Sequence, residues 1–239
     1  MINLKNIKQS VRYLEEMKDI VFDQAWLKKA KSKTELYYVW RDVAENDQDK
    51  EKIRQAGLRY DITEFAPLTL GKEFNKTFGH IHSLVPGTNL TYTEIYEVLE
   101  GEVNFLFQKF NGHKIEDIFT VHCLAGDKYI IQPNYAHMTI NPVKKKTVMA
   151  NWIAPVGQQS YEEIKEMKGG GYYAIEAKEG IQWVKNKTYS FIPQLRFLEP
   201  NNLAQFNISK EESLYSLVND LEKLDFLKNP EKYNWPLAK

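Results

Sequence analysis

"GHIHSLVPGTNLTYTEIYEVLEG", running from Gly79 to Gly101, holds two histidines, three glutamates and a glycine-ended apolar run. In an extended strand, side chains at i and i+2 share a face, so His80 and His82 converge on one side. "EIYEVLEG" has the same period. Glu94, Tyr96 and Val98 take one face and Glu97 takes the other. If the shared face lines an interior, two imidazoles lie close enough to share a cation. An H-x-H pair alone fits two exposed, ligand-free strand histidines better than a metal site.

Downstream, "AGDKYIIQPNYAHMTIN" places His137 eleven residues after Gly126 and four before Asn141. A strand, a turn at Pro133 and a histidine opening the next strand would carry a third imidazole to the same cavity. Working outward, residues 35–187 keep the period of two. Candidate strands are "ELYYVWRDVA", "LRYDITEFA", "TEIYEVLEG", "EVNFLFQKF", "EDIFTVHCL", "KYIIQP", "AHMTINPV", "TVMANWIA", "YYAIEA" and "IQWVKNK". They are rich in β-branched and aromatic residues and separated by turn segments such as "FNGHK" and "AKEG". Short strands without intervening helices predict an all-β antiparallel sandwich or barrel.

Residues 1–34 are expected to form an N-terminal arm with a short helix at "DQAWLKKAKS", capped by Asp23. Residues 188–239 are expected to form an extension. In it Ser209 and Glu212 have capping-box spacing, and Leu214, Leu217, Val218, Leu221 and Leu224 fall on one helical face. That pattern predicts a C-terminal amphipathic helix packed on the barrel or on a second subunit.

Composition narrows the function classes. Thirty-two basic and thirty-two acidic residues give no net charge, which argues against a nucleic-acid partner. The single cysteine, Cys123, rules out an internal disulfide framework and fits a reducing compartment. The residues after Met1 form no apolar signal segment, and no apolar run approaches the roughly 20 residues needed to span a bilayer. The expectation is a cytoplasmic protein with no membrane partner.

The histidine-bearing stretches resemble the two signature motifs of the cupin superfamily. His80, His82, Glu94 and Gly101 match the first, and Gly126, His137 and Asn141 match the second. The resemblance implies a jelly-roll β-barrel with one divalent metal per subunit on His80, His82, Glu94 and His137. Fe2+ leads among the metals it implies, and Mn2+, Ni2+, Co2+ and Zn2+ also suit three imidazoles and a carboxylate. Glu97 has the wrong parity and Glu100 abuts the turn glycine, so both are expected to be solvated surface groups.

A closer resemblance lies in "SVRYLEEMKDIVFDQAW", "GKEFNKTFGHIH", "EIYEVLEG" and "IIQPNYAHMTIN", which look like the cupin-type glucose-6-phosphate isomerases of archaea. It implies a homodimer that interconverts glucose 6-phosphate and fructose 6-phosphate. Glu94 and Tyr96 would be its catalytic residues, and Tyr37, Thr63, Thr77, Gly79 and Tyr161 would contact substrate and phosphate. Alternatives within the resemblance are a non-catalytic sugar-phosphate-binding cupin, a mannose-6-phosphate isomerase or a dioxygenase. Three departures from the family stand out. The His82–Glu94 loop is about five residues longer, Gln159 stands where the family has a histidine, and the chain after about residue 190 has no counterpart in the short archaeal members.

Overall fold

The computed structural model describes residues 2, 4–5, 7–156, 159–200 and 203–235. Two curled sheets face each other as a jelly-roll barrel, the all-β architecture predicted. One sheet has six strands in the order Gln9–Tyr13, Glu35–Trp40, Arg59–Phe65, Thr147–Ile153, Glu94–Glu100 and Lys128–Ile131. The other runs Gly180–Lys185, Tyr172–Ala177, Glu73–Lys76, Ala136–Asn141, Glu102–Asn111, Lys114–Leu124 and Arg196–Leu198, with Thr69–Leu70 beside Glu73–Lys76. A third, two-stranded piece pairs Ile81–His82 with Gln159–Ser160. Among the described residues, no helix is long and apolar enough to cross a membrane.

Alternation decides what each face meets. On the six-stranded sheet, Phe65, Tyr96, Val98 and Met149 point inward, where they join Phe105 and Phe107 of the opposite sheet in the main core. The intervening residues Tyr60, Ile62, Ile95, Ala150 and Trp152 point outward, yet they too are buried. Their cover is the C-terminal extension, which contributes Leu214, Leu217, Val218, Leu224, Phe226 and Leu227 to a second core.

The extension corrects two expectations. It is not an amphipathic α-helix but a chain of 3-10 turns, Leu214–Asn219, Leu221–Leu227 and Pro230–Lys232. Asp220, at φ −150°, breaks the first from the second. Backbone groups of the extension bond to the sheet instead. Trp152 Nε1 donates to Leu214 O at 2.8 Å, Leu214 N donates to Glu97 Oε2 at 2.8 Å, and Thr93 Oγ1 donates to Phe226 O at 2.9 Å. Ser209 accepts from Glu211 N instead of capping a turn at Glu212. The same cover corrects Glu97. It does face away from Glu94, but it is buried, with Lys128 Nζ 3.1 Å away. Glu100 is exposed and pairs with Lys146 at 2.7 Å.

The N-terminal arm is helical at Leu14–Met17 and at Gln24–Leu27, where Asp23 accepts from Trp26 N as expected of its cap. It is locked to the barrel by a buried ion pair between Glu73 and Lys76. Glu73 also accepts from Phe22 N at 2.8 Å, and Lys76 donates to Ile20 O at 2.7 Å. Removing one partner of such a pair strands the other charge in the interior. Lys76→Met is therefore expected to cost about 3–5 kcal/mol, and the double change Glu73→Leu with Lys76→Met to recover most of it. Denaturant melts of the two variants check this; a double variant no more stable than Lys76→Met would show that the single change strands no charge.

Candidate metal centre

His80 and His137 lie opposite each other on antiparallel backbone, exchanging His80 N to His137 O at 3.1 Å and His137 N to His80 O at 2.9 Å. Direct pairing brings the rings together, with centroids 4.3 Å apart. Gly79 makes this approach possible. It sits at φ +83°, and a Cβ there would stand 2.9 Å from Met138 Cε. His82, two residues on, turns its ring to the same side, and its Nε2 is 3.1 Å from His80 Nε2. Glu94 arrives from the other sheet, paired on its two sides with Ile131 and Ile153. The cluster thus bridges the two walls of the barrel.

Ligand atoms of His80, His82, Glu94 and His137 all lie within 4.8 Å of one another. Glu94 Oε2 is 3.2 Å from His82 Nε2 and 3.5 Å from His137 Nε2. Glu94 Oε2 and His137 Nε2 are buried without a hydrogen-bond partner among the described residues. Orphaned polar atoms of this kind are rare in an interior, and a cation at their shared focus would satisfy both. Three of the donors, His80, His137 and Glu94, also carry the right charge states. Burial, with His137 and His82 alongside, holds His80 well below its usual range, and burial lowers His137 against the pull of Glu94. Burial would raise the Glu94 carboxyl, but its contacts with His137 and His82 outweigh that and hold it ionised. Neutral imidazoles and an ionised carboxylate are the forms that bind metal, so the four residues fit one and could hold it.

The surrounding groups orient these donors. His82 Nδ1 lies 3.0 Å from Tyr92 O, which places the proton on Nδ1 and leaves the Nε2 lone pair facing the cluster. Asn151 Nδ2 donates to Glu94 Oε1 at 2.6 Å. Asn151 was invisible to sequence reasoning, since "TVMANWIA" carries only the strand signal that turns residue 151 inward. Removing such an orienting partner typically weakens metal binding about 10–100-fold, and that loss is expected of Asn151→Ala. Chelator competition against the unaltered protein measures it; unchanged affinity would mean that Glu94 is oriented by something else.

The remaining sequence candidates flank the cluster. The Tyr96 ring is 6.2 Å from that of His137, and burial, then the Glu94 charge, raises its hydroxyl well above the usual range, so it stays protonated. The Tyr161 ring is 5.5 Å from that of His80. Its hydroxyl donates to Gln159 Oε1 at 2.7 Å, so the glutamine at the departure position faces the site. Tyr37 and Thr63 lie further along the inner face on adjacent strands, with Tyr37 opposite Phe65 and Val39 opposite Thr63. Arg12 acts electrostatically on both Tyr37 and Tyr161. Thr77 is pinned against Thr139, its Oγ1 accepting from Thr139 N at 2.9 Å.

Comparison with known proteins adds the family. A model described as glucose-6-phosphate isomerase (GPI) matches residues 11–192. The chain is 29% identical over 175 residues to a glucose-6-phosphate isomerase of Thermococcus litoralis, covering 72% of this chain and 83% of that one. It is 27% identical over 185 residues to the enzyme of that name from Pyrococcus furiosus, covering 77% and 89%. Among solved structures, an oxalate decarboxylase of Lactobacillus farciminis in a formate complex overlaps 53% of this chain and 31% of its own, with 17% identity and a TM-score of 0.38. The family match takes in most of both sheets and all four clustered donors, and the chain belongs to the glucose-6-phosphate isomerase family.

Proposed function

We propose that the protein interconverts glucose 6-phosphate and fructose 6-phosphate with one divalent metal ion per subunit, held by His80, His82, Glu94 and His137. The observation that carries this reading is the pair of buried, unpartnered ligand atoms, Glu94 Oε2 and His137 Nε2, in a chain of this family. Fe2+ is the first ion to test. Cytoplasmic action as a homodimer in glycolysis and gluconeogenesis belongs to the same proposal.

A bound ion would supply Lewis-acid polarisation of the carbonyl oxygen of the open-chain sugar. Glu94, ionised, takes the proton from C2 of glucose 6-phosphate and returns it to C1. Tyr96, protonated and buried beside it, serves the proton movement between the two oxygens. Asn151 keeps the carboxylate aimed while this happens. Tyr37, Thr63, Thr77 and the Gly79 amide are the proposed phosphate contacts, with Tyr161 on the sugar. Thr77→Val deletes one hydroxyl contact, and KM is expected to rise about tenfold with a smaller change in kcat.

The rival route moves hydride directly from C2 to C1 and needs no base. Running fructose 6-phosphate to glucose 6-phosphate in heavy water separates the two. Deuterium at C2 of the product is expected; full retention of substrate hydrogen would assign the reaction to hydride transfer and remove Glu94 from the role of base.

A further inference from the structure

The lengthened loop between His82 and Glu94 is built structure. Tyr92 N donates to Ser83 O at 3.1 Å and Val85 N to Leu90 O at 2.8 Å, around a turn at Pro86 and Gly87. Asn134 clamps it from outside, accepting from Thr91 N at 3.0 Å and donating its own N–H to Thr91 Oγ1 at 2.7 Å. The loop's two stems, Ser83 and Tyr92, wall a cavity of about 210 Å³ together with Arg41, Arg59, His82 and Gln159. None of Tyr37, Thr63, Thr77 and Gly79 lines it.

The chemistry of this cavity is cationic. Arg59 grips Asp61 through Nε and Nη2, at 2.8 and 2.7 Å, which leaves Nη1 for another acceptor. Arg41 is exposed and makes one 3.2 Å bond from Nη1 to Ser10 Oγ. Among the described residues no carboxylate lines the cavity; Asp61, Asp42 and Glu94 act electrostatically on Arg59 without lining it, and a planar fork of N–H donors matches phosphate oxygens. Size sets the class of occupant. The cavity is smaller than the roughly 300 Å³ at which whole small-molecule pockets begin, and several times the roughly 30 Å³ share of a water molecule. It has room for one oxyanionic group with its solvent.

We propose that the Arg41–Arg59 cavity is a second oxyanion subsite, beside His82, that takes a phosphate group in addition to the one held among the hydroxyl groups. The inference rests on the isomerase reading of the neighbouring cluster. It makes a sugar phosphorylated at both ends a tighter ligand than the monophosphate substrate. It also gives free phosphate a place to bind alongside that substrate.

Calorimetry on the metal-loaded protein with fructose 6-phosphate, fructose 1,6-bisphosphate and inorganic phosphate tests this. The bisphosphate is expected to bind at least tenfold tighter than the monophosphate, and Arg41→Gln to cut that ratio at least fivefold. Arg59→Lys, which keeps a cation against Asp61 but loses the fork, is expected to cut it too. Inorganic phosphate binding to protein saturated with fructose 6-phosphate, and lost in Arg41→Gln, would identify free phosphate as an occupant and support the subsite. A ratio near one with no second phosphate site, or a preference untouched by both variants, would overturn the proposal. Turnover of fructose 6-phosphate, measured separately, decides the isomerase reading whichever way the binding ratio falls.

Discussion

The His137→Ala protein is expected to keep its fold, lose its bound metal and fall roughly 10³-fold or more in fructose 6-phosphate turnover. Three facts set the size of the effect. His137 supplies one of the two ligand atoms, with Glu94 Oε2, that have no hydrogen-bond partner among the described residues, so its loss removes a donor with little alternative use. Lewis-acid stabilisation is worth several kcal/mol, and each 1.36 kcal/mol is about a decade in rate. His137 also faces Glu94 at 3.5 Å, so its removal takes away one of the groups that hold that carboxylate ionised. Fold retention is expected because the strand Ala136–Asn141 stays paired on both sides, with Glu102–Asn111 and with Glu73–Lys76. Metal content by elemental analysis and circular dichroism separate loss of the ion from loss of structure. Full metal content with normal turnover would refute the ligand assignment.

Ending the chain after residue 202 is expected to have the largest effect on stability. The family match stops at residue 192, so the extension lies outside the family's common part. Even so, Trp152, Ile95 and Leu224 are each at 0% exposure and share one cluster. The Tyr60 ring packs tilted against Trp152 and edge-on to Tyr215, with centroids 4.8 and 5.1 Å away. Uncovering this face would expose several large apolar side chains, each worth about 1.5–3 kcal/mol of burial. That sum matches or exceeds the whole 5–15 kcal/mol stability typical of a domain. The truncated chain is expected to be unfolded or aggregated at 25 °C. A cooperative melt within a few degrees of the full chain would show that the extension is dispensable.

The barrel and the clustering of His80, His82, Glu94 and His137 were legible because both are written locally. Period-two runs name the inward residues, and His80, His82 and Glu94 fall within one stretch whose parity settles which side chains meet. What failed was set by partners far along the chain. Glu97 was placed on the correct face, but the residue that buries it, Leu214, lies 117 positions away. The leucines of the extension keep helical spacing, yet Trp152, Glu97 and Thr93 bond to its backbone and the segment folds as 3-10 turns. The helix Asp47–Gln55 gave little signal for the opposite reason. Ile53 is its one buried apolar residue, so no amphipathic stripe marks it, and only the cap at Asn46 betrays its start. Asn151 and the Arg41–Arg59 cavity are products of register between strands, which no single stretch of sequence records.

The account stands most directly on one assay: fructose 6-phosphate turnover by protein stripped of metal, then reloaded in turn with Fe2+, Mn2+, Ni2+, Co2+ and Zn2+. Glucose 6-phosphate formation is expected to vanish on stripping and to return with at least one of these ions, and to stay absent in His137→Ala under the same reloading. Turnover that survives complete stripping, or that returns equally in the His137→Ala protein, would contradict it.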